Sequence, residues 1–312
     1  MASTLSFQII KDIAEAEKFW KALSPNLSLF DDWDFRMCFH KFHQKELFFI
    51  VGYDEKQLVG LLPLQYNDAI PGLEFFAGSY MADRGGYMED NRVFVKTGYE
   101  KYIAKFYDFA TAQKKTLKLE CITGTDPFTT SLPVQDHKFV LPLTFQTSDE
   151  YLDQTYSGET KKKLKKRIAK IAEEPIEILA DQWNDIELMF QFNIAMFPDS
   201  SFRDRPYHQD IFREFLQPHN TFKAHLLTFV VNEKKQAVTL ALIYKDTCYS
   251  MNRGFDPAAD KNLREYVHIK KVEDALGMKL KYFDAMAGDY GWKERWGMKK
   301  IPQYEYNNQQ HN

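Results

Sequence analysis

Two stretches of the chain alternate apolar and polar runs in the same way. FFIVGYDEKQLVGLLPLQY, from Phe48 to Tyr66, sets two runs of strand-forming residues on either side of a polar turn of acid, lysine and glutamine. LTFVVNEKKQAVTLALIYK, from Leu227 to Lys245, does the same. Polar breakers between two such runs predict a β-hairpin in each. Helical periodicity flanks both. Before the first hairpin, Ile13, Ala16, Phe19, Trp20 and Leu23 share one helical face, and Asp12 with Glu15 three residues on resembles a capping box. After it come a helix with Tyr102, Ile103, Phe106 and Ala110 on one stripe and a strand, TLKLECI. Before the second hairpin, helical stretches cover Ile186–Met196 and Tyr207–Leu216. After it come a strand, TCYSMNRGF, a helix from Leu263 and a strand, KLKYFDAM. Leu263, Tyr266, Ile269 and Leu276 form that helix's stripe, and Gly277 is placed to end it in a left-handed conformation.

The order helix, antiparallel strands, helix, strand therefore occurs twice. Gln57 aligns with Gln236, Val59 with Val238 and Leu61 with Leu240. Any two hairpins share some pattern, so the hairpins alone would not establish a repeat, but their surroundings repeat as well. This predicts an α+β protein of two similar domains, residues 1–147 and 148–312, joined at the polar FQTSDE.

Composition narrows the classes. The chain has 312 residues, more than one ordinary domain, and 44% hydrophobic content is ample for real cores. A net charge of −3 gives no global attraction to nucleic acid or anionic lipid, so such a partner would need a local patch. Cys38, Cys121 and Cys248 have neither metal-ligand nor redox spacing and read as buried thiols in a reducing compartment. The eight histidines show no zinc-like spacing, so no metal is expected, and His208 and His268 read as core or surface residues before bases. No basic-then-apolar leader and no membrane-length apolar run is present, which predicts a cytoplasmic protein.

Four stretches carry a resemblance to a family. They are LFDDWDFRMCFHKF from Leu29, GLLPLQY, YSGETKKKLKKRIAKI from Tyr156, and the long segment from CYSMNRGFDPAADKNLREYV to YFDAMAGDYGWKERWGM. In that order they resemble the tandem form of the GNAT N-acetyltransferase superfamily, in particular FemAB-type aminoacyl transferases and CelD/BioF2-like acyltransferases. The resemblance implies two GNAT-like domains, each a mixed, largely antiparallel sheet flanked by helices. It also implies a Tyr-Lys-x-x-Phe-Gly turn, matched here by Lys293 and by Trp296-Gly297, with Trp292 in the tyrosine position. One departure stands out. The loop DPAADKNLREYV lacks the glycines whose backbone N–H groups hold a pyrophosphate at a helix N-terminus, which puts the usual CoA cradle in doubt.

Acyl transfer to an amine needs donors facing the developing oxyanion, a neutral amine or a base, and aligned substrates. The resemblance points to Lys293 as the cation facing the acyl carbonyl; by its residues alone it reads first as a surface lysine paired with Asp289 or Glu294. Asp284 and Asp289 bracket the turn as candidate bases or amine-orienting groups, or as loop-formers. Arg253, beside Gly254, and Arg84, before two glycines, are candidate grips for a carboxylate or phosphate. Trp33, Tyr290 and Trp292 are candidate substrate-contacting aromatics, Trp33 being also a plain helix start. No cofactor-binding residues are assigned. The expected function is acyl or aminoacyl transfer from acyl-CoA or aminoacyl-tRNA, used as donor substrates with no permanently bound cofactor. The acceptor would be the amine of a small molecule or cell-wall precursor, and the protein a monomer or homodimer. The alternative is a catalytically silent module that binds RNA, tRNA included, or a nucleotide-bearing ligand through the basic KKKLKKR helix.

Overall fold

The computed structural model describes residues 5–67, 72–78, 87–288 and 290–309. Its contacts divide the chain into two units, Met1–His137 with Pro302–Asn312, and Lys138–Ile301. The division thus falls at 137/138 rather than in FQTSDE, and the C-terminal strand belongs to the first unit. The expected boundary followed polarity, whereas the strand Val134–Pro142 runs through the division without a polar break.

The first unit contains β1 (Leu5–Ile10), α1 (Ile13–Leu23), α2 (Trp33–His43), β2 (Leu47–Asp54), β3 (Gln57–Asn67), β4 (Gly72–Phe75), β5 (Phe94–Val95), α3 (Ile103–Ala112), β6 (Thr116–Ile122), α4 (Pro127–Thr130) and the start of β7 (Val134–Pro142). The Asp12 carboxylate accepts the Glu15 N–H at 2.8 Å and starts α1 as its sequence predicts. The strands order as β1-β2-β3-β4-β6, all neighbours antiparallel except β4 with β6. β2 reads LFFIV because both faces of the sheet are covered. Phe48 and Ile50 pack with α3, whereas Phe49 meets Trp20 and Phe76 on the opposite side. Gly52 and Gly60 pair across the hairpin because the Phe106 ring lies on them; a Cβ at either would stand 2.6 or 2.8 Å from its Cζ.

The second unit continues with α5 (Ser148–Thr155), α6 (Gly158–Ala172), β8 (Ile176–Ala180), α7 (Ile186–Met196), α8 (Ser201–Asp204), α9 (Tyr207–Phe215), β9 (Lys223–Val231), β10 (Lys234–Tyr244), β11 (Thr247–Phe255), α10 (Leu263–Gly277) and β12 (Tyr282–Ala287). Its sheet orders as β7-β12-β11-β10-β9-β8, antiparallel except where β11 meets β12. The last strand, β13 (Lys299–Asn307), pairs with β6 in the first unit. Each unit is thus a mixed, largely antiparallel sheet flanked by helices, the α+β build the periodicity predicts. Val59, Leu61, Val238 and Leu240 are all fully buried on matching hairpins. Gly277 is the last helical residue rather than a left-handed stop; Lys279, at φ 58°, takes that conformation instead. Among the described residues no helix is long and apolar enough to cross a membrane.

Candidate functional site

Two irregularities in the second sheet create the candidate site. Cys248 pairs with Ile243 and Arg253 with Thr239, so β11 carries one more residue than β10 over the same span. β10 itself is regular there against β9. The extra residue is a β-bulge, and it brings Arg253 to the same face as Cys248, the face covered by α10. Strict alternation would have turned Arg253 to the opposite side. On that opposite side, Gly254 presses against α7, where a Cβ would lie 2.4 Å from the Met189 carbonyl oxygen.

The second irregularity lies in β12. β11 and β12 pair in parallel at only three positions, Thr247–Tyr282, Cys248–Phe283 and Tyr249–Asp284. Among the described residues no further β11–β12 pair follows these three. β12 also bulges against β7 between Asp284 and Ala287, with Met286 at φ 63°. Three charged side chains hold that bulge. Asp284 accepts the Met286 N–H at 2.8 Å and pairs with the Lys138 ammonium at 2.7 Å. Lys293 donates to the carbonyls of Met286 (2.8 Å) and Ala287 (2.7 Å). Lys293 is only 3% exposed and sits among the Phe139, Tyr290 and Trp292 rings.

Behind the diverging strands, α10 presents His268 and Lys271, both buried. Lys271 donates to Ser250 Oγ at 2.5 Å and lies over Phe283. Burial, reinforced by the neighbouring Arg253 charge, pushes the Lys271 ammonium down to about 7. Arg253 lies over the Trp292 ring at 4.9 Å and is pushed down to about 10 by burial and by Arg264. His268 is held well below its ordinary value by burial and by the charges of Lys271 and Arg253, so it is neutral. Its tautomer follows from Tyr151. The Tyr151 hydroxyl donates its single proton to Trp296 O at 2.7 Å, so its 3.2 Å contact with His268 requires an N–H at Nε2. Nδ1 is then the lone-pair nitrogen. Burial pushes the Cys248 thiol up to about 12, which leaves it unreactive.

The residues singled out in sequence are thus partly brought together. Lys293, Asp284, Arg253 and Trp292 surround the parting of β11 and β12, and Tyr290, 70% exposed, lies at its rim over Lys293. Lys293 is neither a surface lysine nor paired with Glu294; its place beneath two carbonyls was not legible from the turn. Of the two readings of Trp33, the helix start is the one found: it opens α2 behind the cap Asp32, and its ring, 7% exposed, stacks on Phe76 against Trp20, so it packs in the first unit's core and is not a substrate-contacting aromatic. Arg84 and Asp289 lie outside the described residues. Lys271, Ser250, Tyr151 and Lys138 were missed. HIKKVED looks like a solvated helix face, and the polar groups that meet it, Ser250 and Tyr151, come from elements distant in sequence. Three cations of the basic helix also have partners. Lys161 and Lys165 face Asp153, Lys165 also Asp149, and Arg167 grips Glu265 through two nitrogens.

Residues 158–294 match the family model of the acetyltransferase (GNAT) domain. No curated protein sequence matches the chain. Among solved structures, FemX is similar over 98% of this chain and 98% of its own, at 10% identity and a TM-score of 0.61. L-PGS from Bacillus licheniformis is similar over 95% and 91%, at 12% identity and 0.56. A tandem GNAT protein from the clavulanic acid biosynthesis pathway is similar over 97% and 98%, at 12% identity and 0.53. The second unit thus contains a GNAT domain, and the chain as a whole shares the tandem GNAT fold of these structures.

Proposed function

We propose that the protein is an acyltransferase that moves an acyl group from an activated donor to an amine, with the reaction centred where β11 and β12 part. The observation that carries this reading is the parting itself. Two parallel strands pair at only three positions and then run beside a charged, aromatic-lined surface. Backbone N–H groups of a fixed strand are suited to a developing oxyanion, because they need no reorganisation as charge appears. An amine attacks the acyl carbonyl, the tetrahedral oxyanion forms against those donors, and its collapse expels the donor's thiol or hydroxyl. Lys293 serves this by positioning. Its two bonds to β12 carbonyls fix the strand end and the turn that carries Tyr290 and Trp292. Asp284 supports the same bulge through Lys138 and Met286. Arg253 and Trp292 contact substrate.

We favour an acyl thioester such as acyl-CoA as donor over aminoacyl-tRNA, because the second unit belongs to the acetyltransferase type. Its diphosphate would have to be held away from the N-terminus of α10. There, Asp256 and Asp260 place carboxylates on the Ala258 and Asn262 N–H groups, where a phosphate would be repelled. The RNA-binding alternative is weaker, since a polyanion would first have to displace the carboxylates now on Lys161, Lys165 and Arg167. The test is to incubate the chain with CoA esters, aminoacyl-tRNA and a panel of amines, following donor consumption and product mass. Amine-dependent transfer is expected, and Lys293→Met should slow it about tenfold or more through loss of two charge-assisted bonds. Absence of any acylated amine across the panel overturns the reading.

A further inference from the structure

Arg36, fully buried, and Arg253, half-buried, differ in one respect. Arg36, in the first unit, spends its guanidinium on Phe30 O, Phe76 O and Asn91 Oδ1, all within 2.9 Å. That is how a structural arginine is made affordable in a core. The Arg253 guanidinium has no hydrogen-bond acceptor and no carboxylate partner among the described residues; it has only the face of Trp292. Lys271 is similar, with a single hydroxyl acceptor, Ser250 Oγ, and no acid within ion-pair distance among the described residues. The described groups that act on or contact the two cations include Cys248, His268, Arg264, Phe283 and Trp292, none of them negative at neutral pH. The nearest strand carboxylate, Asp284, is engaged by Lys138 and the Met286 N–H.

We propose that Arg253 and Lys271, with Ser250, form a receptor for the oxyanion of one substrate, a carboxylate or a phosphate group. Two neighbouring cations, Lys271 buried and Arg253 half-buried, repel each other and lose hydration, and an oxyanion supplies the missing counter-charge and acceptors. The guanidinium offers a planar fork and the ammonium a point charge, and the Trp292 ring fixes the plane of the fork. Calling the ligand a substrate rests on the acyltransferase reading; the anion site itself does not. The state of Lys271 supports the assignment. An ammonium held down to about 7 is partly neutral in the empty site, and a bound anion would raise it and draw in a proton.

The experiment is calorimetric titration and thermal shift of the intact chain at pH 7 with acetate, glycine, inorganic phosphate and pyrophosphate. It is run on the unmodified chain, Arg253→Gln and Lys271→Met. At least one oxyanion should bind and raise the melting temperature, with proton uptake seen as a dependence of binding heat on the buffer's ionisation heat. Binding should weaken about tenfold or more in each variant. Lys271→Met should be as stable as the unmodified chain without ligand, or more so, because a buried cation is replaced by an apolar group of similar size; that separates lost binding from lost folding. Acetate or glycine binding identifies a carboxylate, and phosphate or pyrophosphate binding a phosphate. Absence of binding by all four, or equal binding in all three proteins, overturns the proposal. Acyl transfer assayed in parallel separates the two readings. Transfer without variant-sensitive anion binding sinks the anion site alone, and anion binding without transfer sinks the acyltransferase alone.

Discussion

The two units solve the same architectural problem with different interiors. In each, a helix crosses between two parallel strands, α3 between β4 and β6, and α10 between β11 and β12. In each, the strand that follows the helix bulges, at Cys121 (φ 52°) in β6 and at Met286 (φ 63°) in β12. In the first unit the helix fills its face with Ile103, Phe106, Tyr107 and Ala110, and Phe106 closes onto two glycines. At the bulge there a neutral amide, Gln135, accepts the Cys121 N–H at 2.8 Å, beside the buried Glu120, which pairs with Lys118 at 3.0 Å. In the second unit the helix buries His268 and Lys271, and the bulge is held by Asp284, Lys138 and Lys293. A buried charge destabilises unless something else requires it. The difference teaches that the first unit's version of this place is a core and the second unit's version is a site.

That contrast can be broken or sharpened by mutation. The largest effect is expected at the filled end. Phe106→Ala leaves a cavity over Gly52 and Gly60 and should cost about 3–5 kcal/mol by urea denaturation; a cost below about 1 kcal/mol would show that this face is not the core claimed. Next, the two bulges should respond unequally. Asp284→Ala strips the buried Lys138 of its carboxylate and should cost about 3 kcal/mol. Gln135→Ala at the first unit's bulge should cost about 1 kcal/mol. Equal midpoint shifts would erase the distinction between a carboxylate and an amide as the group that holds each bulge.

A smaller effect is tied to pH. His225, 15% exposed, contacts Asp274 at 2.8 Å and Asp181 at 3.1 Å, and these carboxylates, Asp274 foremost, raise its pKa. A raised folded-state value means the stabilisation is complete below the ordinary histidine range near ~6.5 and is lost as pH rises through the folded value. Stability should therefore fall by about 0.5 kcal/mol between mildly acidic and mildly alkaline pH after solvent screening. Asp274→Asn should flatten that slope, and an unchanged slope would remove His225 as its source. The smallest effect belongs to the basic helix. Lys165→Ala, which breaks exposed pairs with Asp149 and Asp153, should change stability by less than about 0.5 kcal/mol and leave acyl transfer intact.

The fold was largely legible because it depends on periodicity. Hydrophobic stripes and polar turns located both hairpins, α1, α3, α7, α9 and α10, and their repetition revealed two units. The unit division was not legible, since β7 crosses it without a change in polarity and β13 pairs far back in sequence, with β6. At the site, the resemblance brought Lys293, Arg253 and Trp292 to notice. The resemblance did not reach Lys271 or His268: HIKKVED reads as a solvated helix face, and the groups that bury the two, Ser250, Phe283, Tyr151, Trp292 and Trp296, are far apart in sequence. Trp33 allowed two readings: an aromatic beside two aspartates looks like a binding edge, but those acids cap a helix and anchor a loop. Asp32 accepts the Phe35 N–H and Asp31 the Leu27 N–H.

The return of β13 to the first unit also sets an order of events on the ribosome. Residues 138–301 emerge before β13 is complete, so β6 waits with one ladder edge lacking that partner while the whole second unit is made. The second unit has its own strands in hand by then and can close first. The first unit, earlier in sequence, finishes last. A nascent chain stalled short of residue 299 would display an apolar strand edge, the kind that chaperones hold and that aggregates recruit.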